Sequence, residues 1–140
     1  MLYLYFAAHD SYVLTGPNGE HIYSLRYLFN VSTVSIISRD SNDNFLVEGN
    51  ANVNGEYDGI AINGNNNFIY LTSERTGTNV GTLAIMAVPS GQVVVQPIPI
   101  FTGGYPDAIT MAPSGNNLYA AVSLPDTFSL LDFDMKGHWD

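Results

Sequence analysis

The chain has 140 residues, of which 46% are hydrophobic, so it suits one domain with a packed core and is too apolar for a disordered protein. Four basic residues stand against thirteen acidic ones, with a formal net charge of −9 at pH 7, which excludes a cationic patch for nucleic acids or anionic membranes. Cysteine is absent, which excludes disulfides, thiolate nucleophiles and cysteine-based metal sites.

The predicted elements are β-strands separated by turn signals, and no segment shows the 3.6-residue period of a helix. The first segment, Met1–Ala8, is apolar and strand-like. A first unit follows at residues 10–57, with a loop expected at 28–32 and a polar turn at 39–44. Its predicted strands are Ser11–Thr15, His21–Tyr27, Thr33–Ser38 and Phe45–Val53.

Two further units repeat this order. The second unit, residues 58–106, has predicted strands at Gly59–Asn63, Phe68–Ser73, Leu83–Val88 and Val93–Ile100 and a polar loop at Glu74–Thr82. The third unit, residues 107–140, has predicted strands at Ala108–Ala112, Leu118–Ser123 and Thr127–Phe133. Only three residues follow the turn at 134–137, so the fourth strand of this unit is predicted to be missing.

A repeated pattern connects the three units. Each opens on an aspartate (Asp10, Asp58 and Asp107) and reaches a tyrosine (Tyr23, Tyr70 and Tyr119) after one turn. Self-similarity at a period just under 50 residues indicates stacked supersecondary units, and four antiparallel strands per unit are typical of a β-propeller blade. The sequence therefore predicts an all-β chain of three blades. Met1–Ala8 is predicted to complete the last blade, in cis or in a partner chain.

Three blades are too few to close a ring, since propellers usually have about four to eight. Two chains could self-associate into a six-bladed dimer, or the chain could be a slice of a longer propeller whose further blades complete the ring. We slightly favour self-association, because an open terminal blade exposes a sheet edge and apolar faces.

Two stretches resemble a known repeat. Gly104-Tyr-Pro-Asp-Ala-Ile-Thr-Met-Ala-Pro-Ser-Gly-Asn-Asn-Leu-Tyr119 and Phe128-Ser-Leu-Leu-Asp-Phe-Asp-Met-Lys-Gly137 are similar to the YVTN-type β-propeller repeat. The second unit matches more loosely, with Tyr57 in place of the proline. Such repeats occur in surface-layer proteins, lactonase-like enzymes and cofactor-linked propellers. The resemblance implies a propeller fold and leaves the activity open.

The three leading aspartates are the candidate metal ligands. Asp10, Asp58 and Asp107 stand just before the first strand of each unit, and in a propeller that strand is innermost. Their carboxylates could gather near the axis and hold a hard cation such as Ca²⁺. Alternatively, each one caps backbone N–H groups of its own loop. We favour capping, because structural caps repeat and catalytic groups usually do not.

Other candidates are weaker. The turn at Asp40–Asn44 begins like an EF-hand loop, but Phe45 stands where that loop requires glycine. The histidines (His9, His21 and His138) show no ligand spacing, and no Gly-x-Ser-x-Gly nucleophile elbow is present. We expect Trp139 to pack on a blade or a partner.

Three classes of function remain. The favoured one is a non-catalytic module for self-assembly or for binding a protein or ligand. The second is a lactonase-like enzyme with an axial carboxylate or metal site, and the third is a fragment of a larger secreted propeller. A composition with few lysines and many Asn, Ser, Thr and Gly residues points to an extracellular or cell-surface location, although no signal peptide is visible.

Overall fold

A computed structural model describes residues 12–65, 67–73, 81–88, 90–98, 105–124, 126–134 and 137–140. Within these ranges the chain forms twelve β-strands and no helix, which confirms the all-β prediction. The same ranges therefore contain no helical segment that could cross a membrane.

The strands form three four-stranded sheets, each an antiparallel meander in chain order. The first sheet contains β1 (Tyr12–Thr15), β2 (His21–Leu28), β3 (Val31–Arg39) and β4 (Phe45–Asn54). The second contains β5 (Gly59–Ile62), β6 (Phe68–Ser73), β7 (Thr82–Ala87) and β8 (Val93–Pro97). The third contains β9 (Tyr105–Met111), β10 (Asn117–Leu124), β11 (Thr127–Asp134) and β12 (His138–Trp139).

The third sheet has a fourth strand, so the prediction that this strand is missing was wrong. Gly137, with φ +100°, donates its N–H to the carbonyl of Asp134 at 3.0 Å and returns the chain. β12 then pairs with the end of β11, and Asp132 and Asp140 exchange two backbone hydrogen bonds of 2.9 and 2.7 Å. Two residues are too short to show a strand period, which is why the sequence pattern did not reveal them. The predicted closing strand, Met1–Ala8, lies outside the described residues.

The predicted loop at 28–32 is a tight turn. Leu28 pairs with Val31, and only Phe29 and Asn30 connect β2 to β3. Both have positive φ values, 51° and 62°, as in the type I′ turns that match the twist of hairpin strands. The turn contains no glycine or proline, so its usual sequence signal is missing.

The second sheet lies between the other two. On β6, Ile69 and Leu71 pack in one core cluster with the first sheet, while Tyr70 packs in a second cluster with the third sheet. This alternation follows from the two-residue period of a strand. The first strands of the sheets also meet, because β5 lies against both β1 and β9.

Candidate functional site

The three tyrosines of the repeat occupy the same position in their sheets. Each lies on the second strand, opposite one residue of the first strand and one of the third. These cross-strand rows are Leu14–Tyr23–Ile36, Ala61–Tyr70–Ile85 and Thr110–Tyr119–Asp132. We call the face of each sheet that carries this tyrosine its rear face. The opposite face, which carries Ile22, Ile69 or Leu118, is the front face.

The sheets pack rear face to front face at both interfaces within the chain. Tyr23 on the rear face of the first sheet shares a core cluster with Ile69 on the front face of the second. Tyr70 on the rear face of the second sheet shares the other cluster with Leu118 on the front face of the third. These four side chains are at most 4% exposed. The stacking is therefore directional, and it repeats.

This stacking leaves one front face and one rear face at the ends. The front face of the first sheet carries the row Thr15–Ile22–Ile37–Val47, with Val13 beside it 70% exposed. On the rear face of the third sheet, Leu130 is 61% exposed and Phe128 is 73% exposed. Exposed apolar groups clustered on one face are typical of an interaction surface.

A cleft of about 400 Å³ opens between the first and second sheets. His21, Tyr23 and Glu48 line it from the first sheet, while Asn65 and Val88 line it from turns of the second. The His21 Nε2 atom lies 3.4 Å from Glu48 Oε2. Since the described lining contains no lysine or arginine, the cleft suits a neutral or cationic ligand better than a phosphate.

The pKa of the Tyr23 phenol is raised, first by its burial and then by the negative charge of Glu48. The phenol therefore stays protonated at neutral pH and acts there as a hydrogen-bond group rather than a base. The cleft can hydrogen-bond a polar molecule through an imidazole, a carboxylate and amide groups.

Glu48 is not among the site residues predicted from the sequence, although the sequence carries a local signal for the β-bulge that contains it. Ile36 pairs with Gly49 and Ile37 pairs with Val47, so Glu48 is the extra residue of a β-bulge. Bulges redirect a side chain, and a glycine within a strand pattern often marks one. The Glu48-Gly49 pair was that signal, but its partner His21 is on another strand, beyond the reach of local patterns.

Of the three predicted metal ligands, only the Asp58 side chain is described. Asp58 is partly buried just before β5, and its backbone N–H donates to the carbonyl of Thr72 at 3.0 Å. Asp10 lies outside the described residues, and Asp107 lies in β9 with its side chain undescribed. The described residues contain no group of three side chains that could hold a metal ion. The calcium site stays a prediction.

Two other candidates have structural roles. The Asp40 carboxylate accepts a hydrogen bond from the Asn44 side-chain amide at 3.0 Å and others from the backbone N–H groups of Asn44 and Asn42, at 2.9 and 2.8 Å, and these bonds lower its pKa. Trp139 packs against Phe133 with ring centroids 4.8 Å apart, which confirms that it packs on a sheet. His9 and the side chain of His138 lie outside the description.

No protein-family model matches this chain, and no curated protein matches it. Among solved structures, it is similar to hydrazine synthase from Kuenenia stuttgartiensis, with a TM-score of 0.67 and 15% sequence identity. The match covers 97% of this chain and 36% of that chain, so this chain spans little more than a third of its length. At this identity the likeness concerns the fold alone.

Proposed function

We propose that this chain is a non-catalytic module whose stacked sheets are β-propeller blades and which self-associates or binds a partner through its two end faces. One observation carries the proposal: both interfaces within the chain join a rear face to a front face, and one face of each kind remains. Burial of the exposed apolar side chains at the ends would stabilise an assembly by about 25 cal/mol per Å² of apolar surface.

The edge of the third sheet supports the same proposal. On its outer edge, β11 pairs with β12 and Asp140 only through its last residues, Asp132–Asp134. In the described part of the chain, no strand lies beside residues 127–131 on that edge. An open edge is a template for strand addition. It could accept Met1–Ala8 of the same chain or of a second one, as a six-bladed dimer requires.

The test is the mass of the full chain in solution over a wide range of concentrations, measured by light scattering after size exclusion and by native mass spectrometry. We expect twice the 15.2 kDa chain mass. Leu130→Lys should weaken the dimer, because it places a charge on the rear face of the third sheet. Phe29→Lys is the control, since Phe29 is exposed in the β2–β3 turn and does not belong to a strand face. A monomer at every concentration would contradict self-association.

The YVTN-type family and an extracellular or cell-surface location belong to the same proposal. The first is supported by the pattern of residues 104–119, and the second by the composition. Further blades of a longer chain would cover the same end faces, and comparing the full-length gene product with this segment would reveal them.

A lactonase-like enzyme is the alternative, and it depends on Asp10, Asp58 and Asp107. Metal analysis of the purified protein and of Asp58→Ala tests it. Loss of bound Ca²⁺ with the fold retained would support an axial metal site. Unfolding of the variant would support a capping role, since a cap contributes to stability in the absence of metal.

A further inference from the structure

We infer that the rear face of the third sheet receives the front face of the first sheet of a second copy, in the register already used twice within the chain. This inference rests on the proposed function, because it specifies how the copies meet. It follows from the equivalence of cross-strand rows, from the charges on the two end faces and from the size of the surface to be covered.

The front face of the first sheet matches the front faces that are buried. The second sheet packs Ile62–Ile69–Met86 against the first sheet, and the third packs Met111–Leu118–Phe133 against the second. At the same position, the first sheet has the row that contains Ile22 and Ile37. Both isoleucines are partly exposed, so this row has the side chains of a buried front face without its burial.

The rear face of the third sheet likewise matches the buried rear faces. Its second row is Ala108–Ala121–Leu130, which corresponds to Tyr12–Leu25–Val34 in the first sheet. Leu25 and Val34 are completely buried against the second sheet, whereas Leu130 is 61% exposed. Beside small alanines, Leu130 and Phe128 form a ridge that another sheet face could accommodate.

Charge distinguishes this pairing from the symmetric ones. Asp132, which accepts a hydrogen bond from Asn117 Nδ2 at 2.8 Å, lies on the rear face of the third sheet, and Arg26 lies on the front face of the first. Two rear faces in contact would place an acidic group on both surfaces, and two front faces would place a basic group on both. Rear-to-front pairing places a face that carries Asp132 against a face that carries Arg26, so the two surfaces have opposite charges.

Whatever covers the rear face of the third sheet must itself be a whole sheet. The Met1–Ala8 segment can supply one strand to an edge, but it cannot cover the face of a four-stranded sheet. A second copy provides the complementary front face. Head-to-tail contacts either close into rings or continue as filaments. Two copies of three sheets would give a six-bladed ring, within the usual range of about four to eight blades.

The register identifies the residues that should face each other. Within the chain, Val34 on a rear face shares a cluster with Ala84 on a front face, and Leu83 shares one with Leu131. By the same rows, Leu130 of one copy should face Ser35 of the other, since Ser35 pairs with Ser24 as Ala84 pairs with Leu71. Stacked sheets are about 10 Å apart, so a short bismaleimide can join cysteines at these two positions.

The test uses Leu130→Cys and Ser35→Cys in separate full-length chains, one of them affinity-tagged. Because the native chain has no cysteine, every cross-link reports on the introduced residues. We expect the mixture to yield at least about tenfold more cross-linked dimer than either variant alone, because contact raises the effective concentration of the two thiols. A mixture of Leu130→Cys with Phe29→Cys is the matched control and should yield little.

The outcomes separate the two proposals. A dimer by mass that cross-links within Leu130→Cys alone, or equally well with the control, would overturn the rear-to-front pairing and leave self-association intact. A monomer at all concentrations, with no cross-link in any mixture, would overturn self-association itself. Preferential cross-linking of Leu130→Cys with Ser35→Cys in a dimer would support both.

Discussion

At the residue scale, Phe29 has a backbone conformation that suits its side chain poorly. Its φ is 51°, in the left-handed region, and its side chain is 88% exposed. Two-residue turns with positive φ at both positions favour Asn and Gly, because a larger side chain adds steric strain there. Phe29→Asn should therefore raise the free energy of unfolding by about 1 kcal/mol. Urea unfolding followed by circular dichroism measures this change.

Phe45→Asn is the matched control for that change. Phe45 is also an exposed phenylalanine, but it begins β4 and does not have a positive φ. Asparagine is unfavourable in strands, so this variant should be neutral or less stable. Equal stabilisation of both variants would show that removing an exposed phenyl group, and not relieving the turn, is responsible.

Tyr23 should make stability fall at alkaline pH. Burial, and then the charge of Glu48, raise its pKa above the ordinary value of 10.0. The folded state then holds the phenolic proton more tightly than the unfolded chain does. This contribution is complete below pH 10 and is lost as the pH rises through the folded pKa.

Tyr23→Phe should consequently lose less stability above pH 10 than the parent protein, and Glu48→Gln should show an intermediate loss because it removes the second cause. Urea midpoints measured from about pH 8 upward report the difference. If the Tyr23→Phe curve fell as steeply as that of the parent, other groups would control alkaline unfolding. Tyr70 is one such group, since burial also raises its pKa.

At the element scale, β5 lies close to both β6 and β9 at Gly59. A Cβ atom there would overlap Thr72 Oγ1 on β6 and lie 3.4 Å from Ile109 Cγ1 on β9. Gly59→Ala should lower the free energy of unfolding by about 2 kcal/mol, as overpacking does in a core. Adding Thr72→Ala should recover part of the loss. Gly49→Ala is the control, since no described atom lies within 4 Å of the added Cβ. Similar effects at the two glycines would contradict close sheet packing as the cause.

The strands differ in how well the sequence predicts them. Phe68–Ser73 was predicted to the residue, because a polar turn precedes a run of β-branched and aromatic residues. The connection at 28–32 was predicted as a loop, but its two-residue form was not, because Phe29–Asn30 lacks the glycine that usually marks such a turn. β12 was missed because two residues carry no period. The cleft needs both the bulge at Glu48 and the pairing of β2 with β3, so it depends on tertiary structure that local patterns do not encode.

At the scale of the whole molecule, the repeat predicted stacked units but not the direction of stacking. That direction follows from the register, in which each tyrosine of the first two sheets faces the next sheet along the chain. Two independent contributions to assembly are then expected. The first is packing between the end faces of two copies, with Leu130 on one face and Ser35 on the other, and the second is strand addition along residues 127–131 of β11. The face buries apolar area, and the edge forms backbone hydrogen bonds.

Deletion of Met1–Ala8 isolates the edge. If this segment adds a strand beside β11, its removal leaves the backbone groups of that edge without strand partners, and the dimer should dissociate. Size-exclusion chromatography with light scattering measures the change. Replacing the same residues with a Gly/Ser segment of equal length is the control for chain size and should also dissociate, because such a sequence has little tendency to form a strand. An unchanged elution volume after both alterations would mean that face packing alone holds the copies together.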